Sequence, residues 1–364
     1  MIIQIIKYFQ LHYSDLVKSM KDSNHHLDNK NLNPYHLEGD VWTHTMMVLN
    51  YAIINNFSLE VKLAALLHDI GKPKARFIKD EKKVTFFNHE NISTVLAVKI
   101  LNDFEKHFNL SFNKTMVLEL INHHSDLHRI GYFDDNKTFF LSQKNRMFLD
   151  NKYTNYEYYI NMVHLNMSDN YGRFYDIADK EAMKNKYNFL LSFIPNKKYK
   201  QDKSNFPKAI MLSGLPGVGK SYIKDQLLKD DNYVVLSSDS KIMARYPKLS
   251  YKDAYYTVID KDEFKDIEKE LREELKEAVK DRKNIIFDRT NLSKKVRNRW
   301  FCNVPFKYYN KINYFVVADY DIILNRNNKR KEKTIKNDVY DFMINYFKLT
   351  GYNEEFDEIK IIFN

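Results

Sequence analysis

One cysteine, Cys302, occurs in 364 residues, so no disulfide forms within the chain. That suits a reducing compartment, and the cytoplasm is the expected location. Glycine and proline are scarce, at 8 and 7 residues, which excludes collagen-like and low-complexity chains. No apolar run reaches the ~18–20 residues that a membrane span needs, so no membrane partner is expected. The N-terminal MIIQIIKYFQLHY has no basic stretch before it and no small-residue cleavage site. It reads as a helix rather than a signal peptide.

What the chain has in quantity is apolar surface and positive charge. It is 44% hydrophobic and 15% aromatic, enough for real cores, and its length suits two domains. Lys and Arg total 58 against 48 Asp and Glu, a net charge of +10. Such a balance fits a polyanionic partner, nucleic acid first. It equally fits a lysine-rich solvated surface.

Residues 1–194 read as mostly helical, with apolar positions at helical spacing in 59–67, 92–101 and 117–121 and a similar pattern over 151–194. A polar stretch bounded by Pro195 and Pro207 reads as a linker over 195–207. From 208 to 364 short apolar runs alternate with long charged helical segments. The runs are Ala209–Leu212, Tyr233–Leu236, Asn284–Phe287 and Asn313–Val317. This alternation predicts βαβ units and a parallel sheet. The expected fold is an all-α helical domain followed by an α/β P-loop domain.

Gly214-Leu215-Pro216-Gly217-Val218-Gly219-Lys220-Ser221 fits the pattern G-x-x-x-x-G-K-[ST] between a predicted strand and a predicted helix. The glycines let backbone N–H groups turn inward around phosphates, and the helix N-terminus adds its positive end. Lys220 reaches the β- and γ-phosphates of a nucleotide such as ATP, and Ser221 ligates Mg²⁺. Gly214, Gly217, Val218, Gly219 and Tyr222 complete the expected nucleotide contacts. Asp239 follows the second strand. There it serves either as the base that takes a proton from an attacking hydroxyl or as a helix N-cap. Asp288 ends the third strand at the Walker B position. Arg289, Arg297, Arg299, Arg326 and Arg330 cluster downstream. They suggest charge stabilisation of a phosphoryl group or, alternatively, a solvated basic face.

These residues, with Asp288-Arg289-Thr290-Asn291-Leu292 and Arg326-Asn327-Asn328-Lys329-Arg330, resemble the 5′-hydroxyl polynucleotide kinase domain of phage and bacterial RNA-repair enzymes. The resemblance covers about residues 208–364. It implies that Asp239 is the general base and that Arg330, with Arg326, contacts the donor phosphates from a lid. One departure stands out. The acceptor-binding Arg expected three residues after the base is Ile242, which leaves Lys241 or Arg245 as substitutes.

The first half carries His44, His68-Asp69, His89-Glu90, His123-His124 and Asp169. Imidazoles and carboxylates on separate helices can converge on a divalent metal. Neighbours in a helix lie about 100° apart, so His68 and Asp69 share a metal only at a helix break, which Gly71 and Pro73 supply. The order H…HD…H…H…D resembles the HD phosphohydrolases. The segments around Tyr35–His44 and Phe86–Glu90 look most like the HD domain of bacterial tRNA nucleotidyltransferases, over about residues 30–175. The resemblance implies that His44, His68, Asp69 and Asp169 hold the principal metal. His89 and either His123 or His124 bind a second metal or the scissile phosphate. Asn88 stands where relatives usually have Gly. Histidine-rich ligation suits Mn²⁺, Co²⁺ or Ni²⁺.

An HD domain followed by a polynucleotide kinase resembles bacterial end-healing enzymes over nearly the full chain. That implies action on RNA or DNA ends ahead of a separate RNA ligase. The competing expectations are a kinase and phosphohydrolase for small nucleotides, and a nucleotide-gated RNA-binding module.

Overall fold

The computed structural model describes residues 1–28, 30–80, 83–128, 156–174, 180–192, 202–330, 333–351 and 354–364. The chain divides into two compact units, Met1–Lys198 and Tyr199–Asn364. Residues 195–201 of the expected linker lie outside the described residues.

The first unit is built from α1 (Ile2–His12), α2 (Ser14–Asp22), α3 (Val41–Ile54), α4 (Leu59–Leu67), α5 (Lys72–Ala75), α6 (His89–Phe108), α7 (Lys114–His123), α8 (Tyr156–Tyr171) and α9 (Lys180–Ser192). Helix α4 is apolar nearly all round, and Val61 and Leu63 to Leu67 are buried. Such a helix must be central, and α4 packs against α3, α7 and α8. Ser58 caps its start by accepting from the Val61 N–H at 3.2 Å. The helix stops at Leu67, and the chain turns through His68 and Asp69 into the short α5, with Pro73 in its first turn. One feature departs from the all-α expectation. β1 (Phe77–Lys79) and β2 (Lys83–Thr85) form an antiparallel pair between α5 and α6.

The second unit carries β3 (Lys208–Ser213), α10 (Lys220–Asp230), β4 (Tyr233–Leu236), α11 (Ser238–Arg245), α12 (Tyr251–Asp260), α13 (Phe264–Lys280), β5 (Asn284–Asp288), α14 (Lys294–Phe301), β6 (Asn310–Val317), α15 (Tyr320–Asn328), α16 (Asn337–Asn345) and β7 (Glu358–Phe363). The sheet order is β4-β5-β3-β6-β7, and every pairing is parallel. Strand β3 is central and almost wholly buried. The order reverses beside it, so the loop after β3 opens at a topological switch point, where α/β sheets bind ligands. The amphipathic α13 buries Ile267, Leu271, Leu275 and Ala278 against one sheet face.

Lys203, inside the expected linker, is 4% exposed. Its ammonium donates to the carbonyls of Phe306 and Tyr309 at 2.5 and 2.8 Å and to Asp357 Oδ2 at 2.9 Å. The described end of that stretch is therefore part of the second unit's core, because a buried charge must be paired where it sits.

Candidate functional site

In the first unit, four helices and one turn bring histidines and carboxylates together. Asp40 caps α3 by accepting from the Thr43 N–H at 2.9 Å, which sets the register that turns His44 inward. Gly71 lets α6 approach the His68-Asp69 turn. A Cβ there would stand 2.4 Å from the His89 carbonyl oxygen and 2.6 Å from Ser93 N. Asn88 starts α6 with φ +59°, a left-handed conformation that Asn tolerates and Gly adopts freely.

The ring protons are committed away from the centre. His68 Nδ1–H donates to Ala65 O at 2.9 Å, and His89 Nδ1–H to Phe86 O at 2.7 Å. His124 Nδ1–H donates to Ile121 O at 2.7 Å. His44 Nδ1 lies 2.8 Å from Glu38 Oε1. Each Nε2 is thereby turned inward. His44 Nε2 stands 3.1 Å from Asp169 Oδ1 and 3.5 Å from Asp69 Oδ2. His68 Nε2 lies 3.2 Å from Asp69 Oδ2 and His89 Nε2 3.1 Å from Asp69 Oδ1. His89 Nε2 and His124 Nε2 face each other at 3.2 Å.

With the rings neutral, acceptors crowded in this way repel unless a cation lies among them. His44 Nε2, His68 Nε2 and both Asp69 oxygens are buried without a well-aligned hydrogen bond. The donor set, imidazole nitrogen with carboxylate oxygen, is that of divalent transition metals. Within the cluster two groups have the required convergence, His44, His68 and Asp169, and Asp69, His89 and His124; His25, His36 and Glu38 make a third beside it. The residues present therefore fit one or two divalent ions. Burial pushes the Asp69 carboxyl up, but His68, Lys72 and His89 outweigh it and hold it well below the usual carboxylate range. Burial, with the fields of His89 and His68, keeps His124 neutral well below its ordinary value.

His123 does not join this cluster. Its Nδ1 lies 3.0 Å from Asp126 Oδ2, since consecutive helical residues point about 100° apart and only one of the pair can face inward. The expectation that left His123 open as a ligand is corrected in favour of its neighbour. Other residues escaped the sequence reading. Lys72 Nζ lies 2.7 Å from Asp69 Oδ2. His128 Nε2 lies 3.0 Å from Asp169 Oδ2. Lys72, His128 and Arg173 line a cleft of about 280 Å³ with Tyr35, His36, Ser125 and the cluster itself. Helical spacing was their signal: three residues after Asp69, four after His124, four after Asp169. Behind the cleft, His25 stacks on His36 at 4.2 Å and lies 3.1 Å from the Lys72 ammonium.

In the second unit, the loop after β3 holds Gly214, Gly217 and Gly219 at φ +135°, +90° and +103°. At Gly214 a Cβ would meet the Val316 carbonyl oxygen at 2.4 Å, so no side chain fits. Val218 is buried beneath the loop, while Ser221 and Tyr222 are exposed in the first turn of α10. The Lys220 ammonium donates to Gly214 O and Leu215 O at 2.8 and 2.9 Å. Burial pushes this lysine down to about 8; Asp288 opposes the shift and Arg330 adds to it. Arg326 donates to Gly217 O at 3.2 Å, and the Tyr340 hydroxyl to Pro216 O at 3.0 Å. Asp288, at the end of β5, pairs with Lys224 at 3.0 Å.

Asp239 is not a cap. Ser237 caps α11, accepting from the Ser240 N–H, and Asp239 sits exposed in the first turn. The arginine cluster divides. Arg297 is wholly buried, forked onto Glu354 at 2.6 and 2.7 Å and bonded to Asn291 O and Lys348 O, so it holds the fold. Arg289 and Arg299 face Glu268. Of the five, Arg326 and Arg330 stand at the loop, Arg326 in the last turn of α15 and Arg330 just after it.

Fold and sites together define a chain of two phosphoryl-handling modules. Residues 41–184 match the family model described as HD domain, and residues 210–349 the one described as AAA domain. The chain thus joins an HD domain, with phosphohydrolase potential, to a P-loop kinase-like domain. The Multifunctional CCA protein of Methylobacillus flagellatus is 33% identical over 104 residues, 27% of this chain and 22% of that protein. That of Nitrosospira multiformis is 53% identical over 38 residues, 10% of this chain and 9% of the relative. The chain spans less than a quarter of the length of these curated relatives. No helix among the described residues is long and apolar enough to cross a membrane.

Proposed function

We propose that the chain heals broken nucleic-acid ends, RNA in the first instance, before a separate ligase seals them. The second unit transfers the γ-phosphate of ATP or another NTP to a 5′-hydroxyl end. The first hydrolyses 2′,3′-cyclic, 2′- or 3′-phosphate ends. The observation that carries this reading is two phosphoryl sites of opposite chemistry in one basic chain. One is a His–Asp cluster under Lys72 and Arg173, and the other is a P-loop beside an exposed strand-end carboxylate.

In the kinase unit, loop N–H groups and Lys220 hold the donor phosphates, and Ser221 with Asp288 would hold Mg²⁺. Arg326 and Arg330 offset charge that builds on the transferring group. Asp239 takes the 5′-hydroxyl proton as O5′ bonds to Pγ. The bond from Pγ to the bridging oxygen breaks, and the diphosphate leaves. In the HD unit, His44, His68, Asp69 and Asp169, with His89 and His124, would hold Mn²⁺, Co²⁺ or Ni²⁺. A cation there supplies Lewis acidity and lowers the pKa of water. Lys72 and Arg173 orient and neutralise the phosphate at the cleft, and water replaces a ribose oxygen on phosphorus.

The test is one incubation of the protein with ATP, Mg²⁺ or Mn²⁺, and an oligonucleotide bearing a 5′-OH and a 2′,3′-cyclic phosphate, with both ends then resolved. Gain of a 5′-phosphate and loss of the cyclic phosphate are expected. Phosphorylation of free nucleosides with oligonucleotides untouched would replace this reading with small-nucleotide metabolism.

A further inference from the structure

Both oxygens of Asp239 are engaged. The Tyr251 hydroxyl donates to Oδ1 at 2.8 Å, and the Lys333 ammonium to Oδ2 at 2.9 Å. The same ammonium lies 3.7 Å from the centre of the Tyr251 ring. The usual acceptor contact is missing, since Ile242 is 1% exposed and belongs to the core. The two candidate substitutes face carboxylates at the start of α13 and along it, and not Asp239. Lys241 pairs with Glu274 at 3.0 Å, and Arg245 pairs with Glu263 and Glu270. Among the described residues, Lys333 is the cation in ion-pair contact with Asp239.

A base with both oxygens occupied must release one to an incoming hydroxyl. The Lys333 side chain is 42% exposed and that of Asp239 54%. An exposed, solvent-screened pair of this kind is weak, so parting it costs little. Tyr251 sits in the first half of α12 and stacks on Tyr255 at 6.1 Å between ring centres. Its hydroxyl is the fixed partner, and the ring face under Lys333 is what that lysine uncovers when it moves.

We propose that Tyr251 and Lys333 form the acceptor site: Lys333 passes from Asp239 to the phosphate on the 3′ side of the terminal nucleoside, and the uncovered Tyr251 ring stacks on the terminal base. The Tyr251 hydroxyl keeps Asp239 aimed while Oδ2 receives the O5′ proton. O5′ bonds to Pγ, the bond to the bridging oxygen breaks, and the diphosphate leaves. This rests on the kinase reading above and deepens it. The acceptor is a strand with at least one internucleotide phosphate, and a free nucleoside lacks half of the contacts. Base–aromatic stacking accepts any base, so little sequence preference is expected.

The experiment uses the full chain with saturating ATP and Mg²⁺. The acceptors are a 5′-OH oligonucleotide and the same oligonucleotide with a neutral methylphosphonate as its first linkage. Lys333→Ala should raise the acceptor KM about tenfold on the phosphodiester and leave it nearly unchanged on the methylphosphonate. It should also lower the salt slope of acceptor binding by about one phosphate contact and leave the ATP KM alone. Tyr251→Phe should keep the acceptor KM and lose kcat, whereas Tyr251→Leu should lose both. Equal losses on the two acceptors, a raised ATP KM, or faster turnover in Lys333→Ala would overturn the assignment. If the wild-type protein phosphorylates the oligonucleotide and Lys333→Ala matches it, the acceptor site is wrong and the kinase reading stands. If the wild-type protein phosphorylates no 5′-OH strand, both fall.

Discussion

At the scale of single residues, chemistry is set by where each proton is held. Three backbone carbonyls take Nδ1–H from His68, His89 and His124 and so turn three Nε2 atoms into the cluster. In the other unit Asp239 is the base of the proposed transfer. Asp239→Ala should abolish phosphoryl transfer while nucleotide binding, followed by calorimetry, is retained; near wild-type rates would remove the base assignment. Arg330→Lys keeps charge and loses the planar fork, so a clear fall in kcat is expected in steady-state assays. Lys186, 5% exposed on α9, offers a pH test. Burial, with Arg173 beside it, pushes this lysine down to about 7. Below pH 7 it is charged in the folded and unfolded states alike, and burial exacts its full penalty. Between about 7 and the unfolded value near 10.4 the unfolded chain keeps a proton that the folded one has lost, so stability rises with pH. Lys186→Met should therefore stabilise the first unit by about 1 kcal/mol or more at pH 6. The gain should shrink toward pH 9 in urea unfolding followed by circular dichroism, and a pH-independent difference would show that packing alone is responsible.

At the scale of elements, the site depends on how closely helices cross. Gly71→Ala would force α6 away from the His68-Asp69 turn by driving a methyl into the His89 carbonyl. Overpacking of this kind costs about 1–3 kcal/mol, and a misplacement of roughly 1 Å at a reacting centre costs about 10²-fold in rate. The HD activity should fall by that order while kinase activity persists, and unchanged 3′-end hydrolysis would mean that α6 can move without harm. The elements carrying the chemistry were legible in the sequence for a physical reason. The P-loop pattern, its flanking strand and helix, and Asp288 at a strand end are local, and the alternation of apolar runs with charged helices fixes a parallel sheet. What stayed hidden is long-range. The β1–β2 pair is too short for alternation to register. The choice between His123 and His124 needs the rotation of α7. The pairing of Arg297 with Glu354, and of Arg289 and Arg299 with Glu268, joins residues far apart in sequence, so the arginine count near 289–330 overstated the charge facing the P-loop.

At the scale of the whole molecule, the HD residues all precede the second unit and the P-loop residues all lie within it. Asp69→Ala or His68→Ala should remove 3′-end phosphohydrolysis, by 10³-fold or more, and leave 5′ phosphorylation nearly intact. Lys220→Ala should do the reverse. EDTA should stop both activities, with Mg²⁺ restoring the kinase and Mn²⁺, Co²⁺ or Ni²⁺ the hydrolase. Loss of kinase activity in folded Asp69→Ala protein would show that the two halves are coupled. The place at which the chain can be cut follows from Lys203. A kinase fragment begun at Lys208, where the first strand of the sheet starts, would discard the Lys203 ammonium that pairs with the buried Asp357. Removing one partner of a buried pair costs about 3–5 kcal/mol, a large share of a domain's stability. A fragment begun at Tyr199 keeps the lysine and should express as folded kinase, whereas the shorter one should be lost to proteolysis.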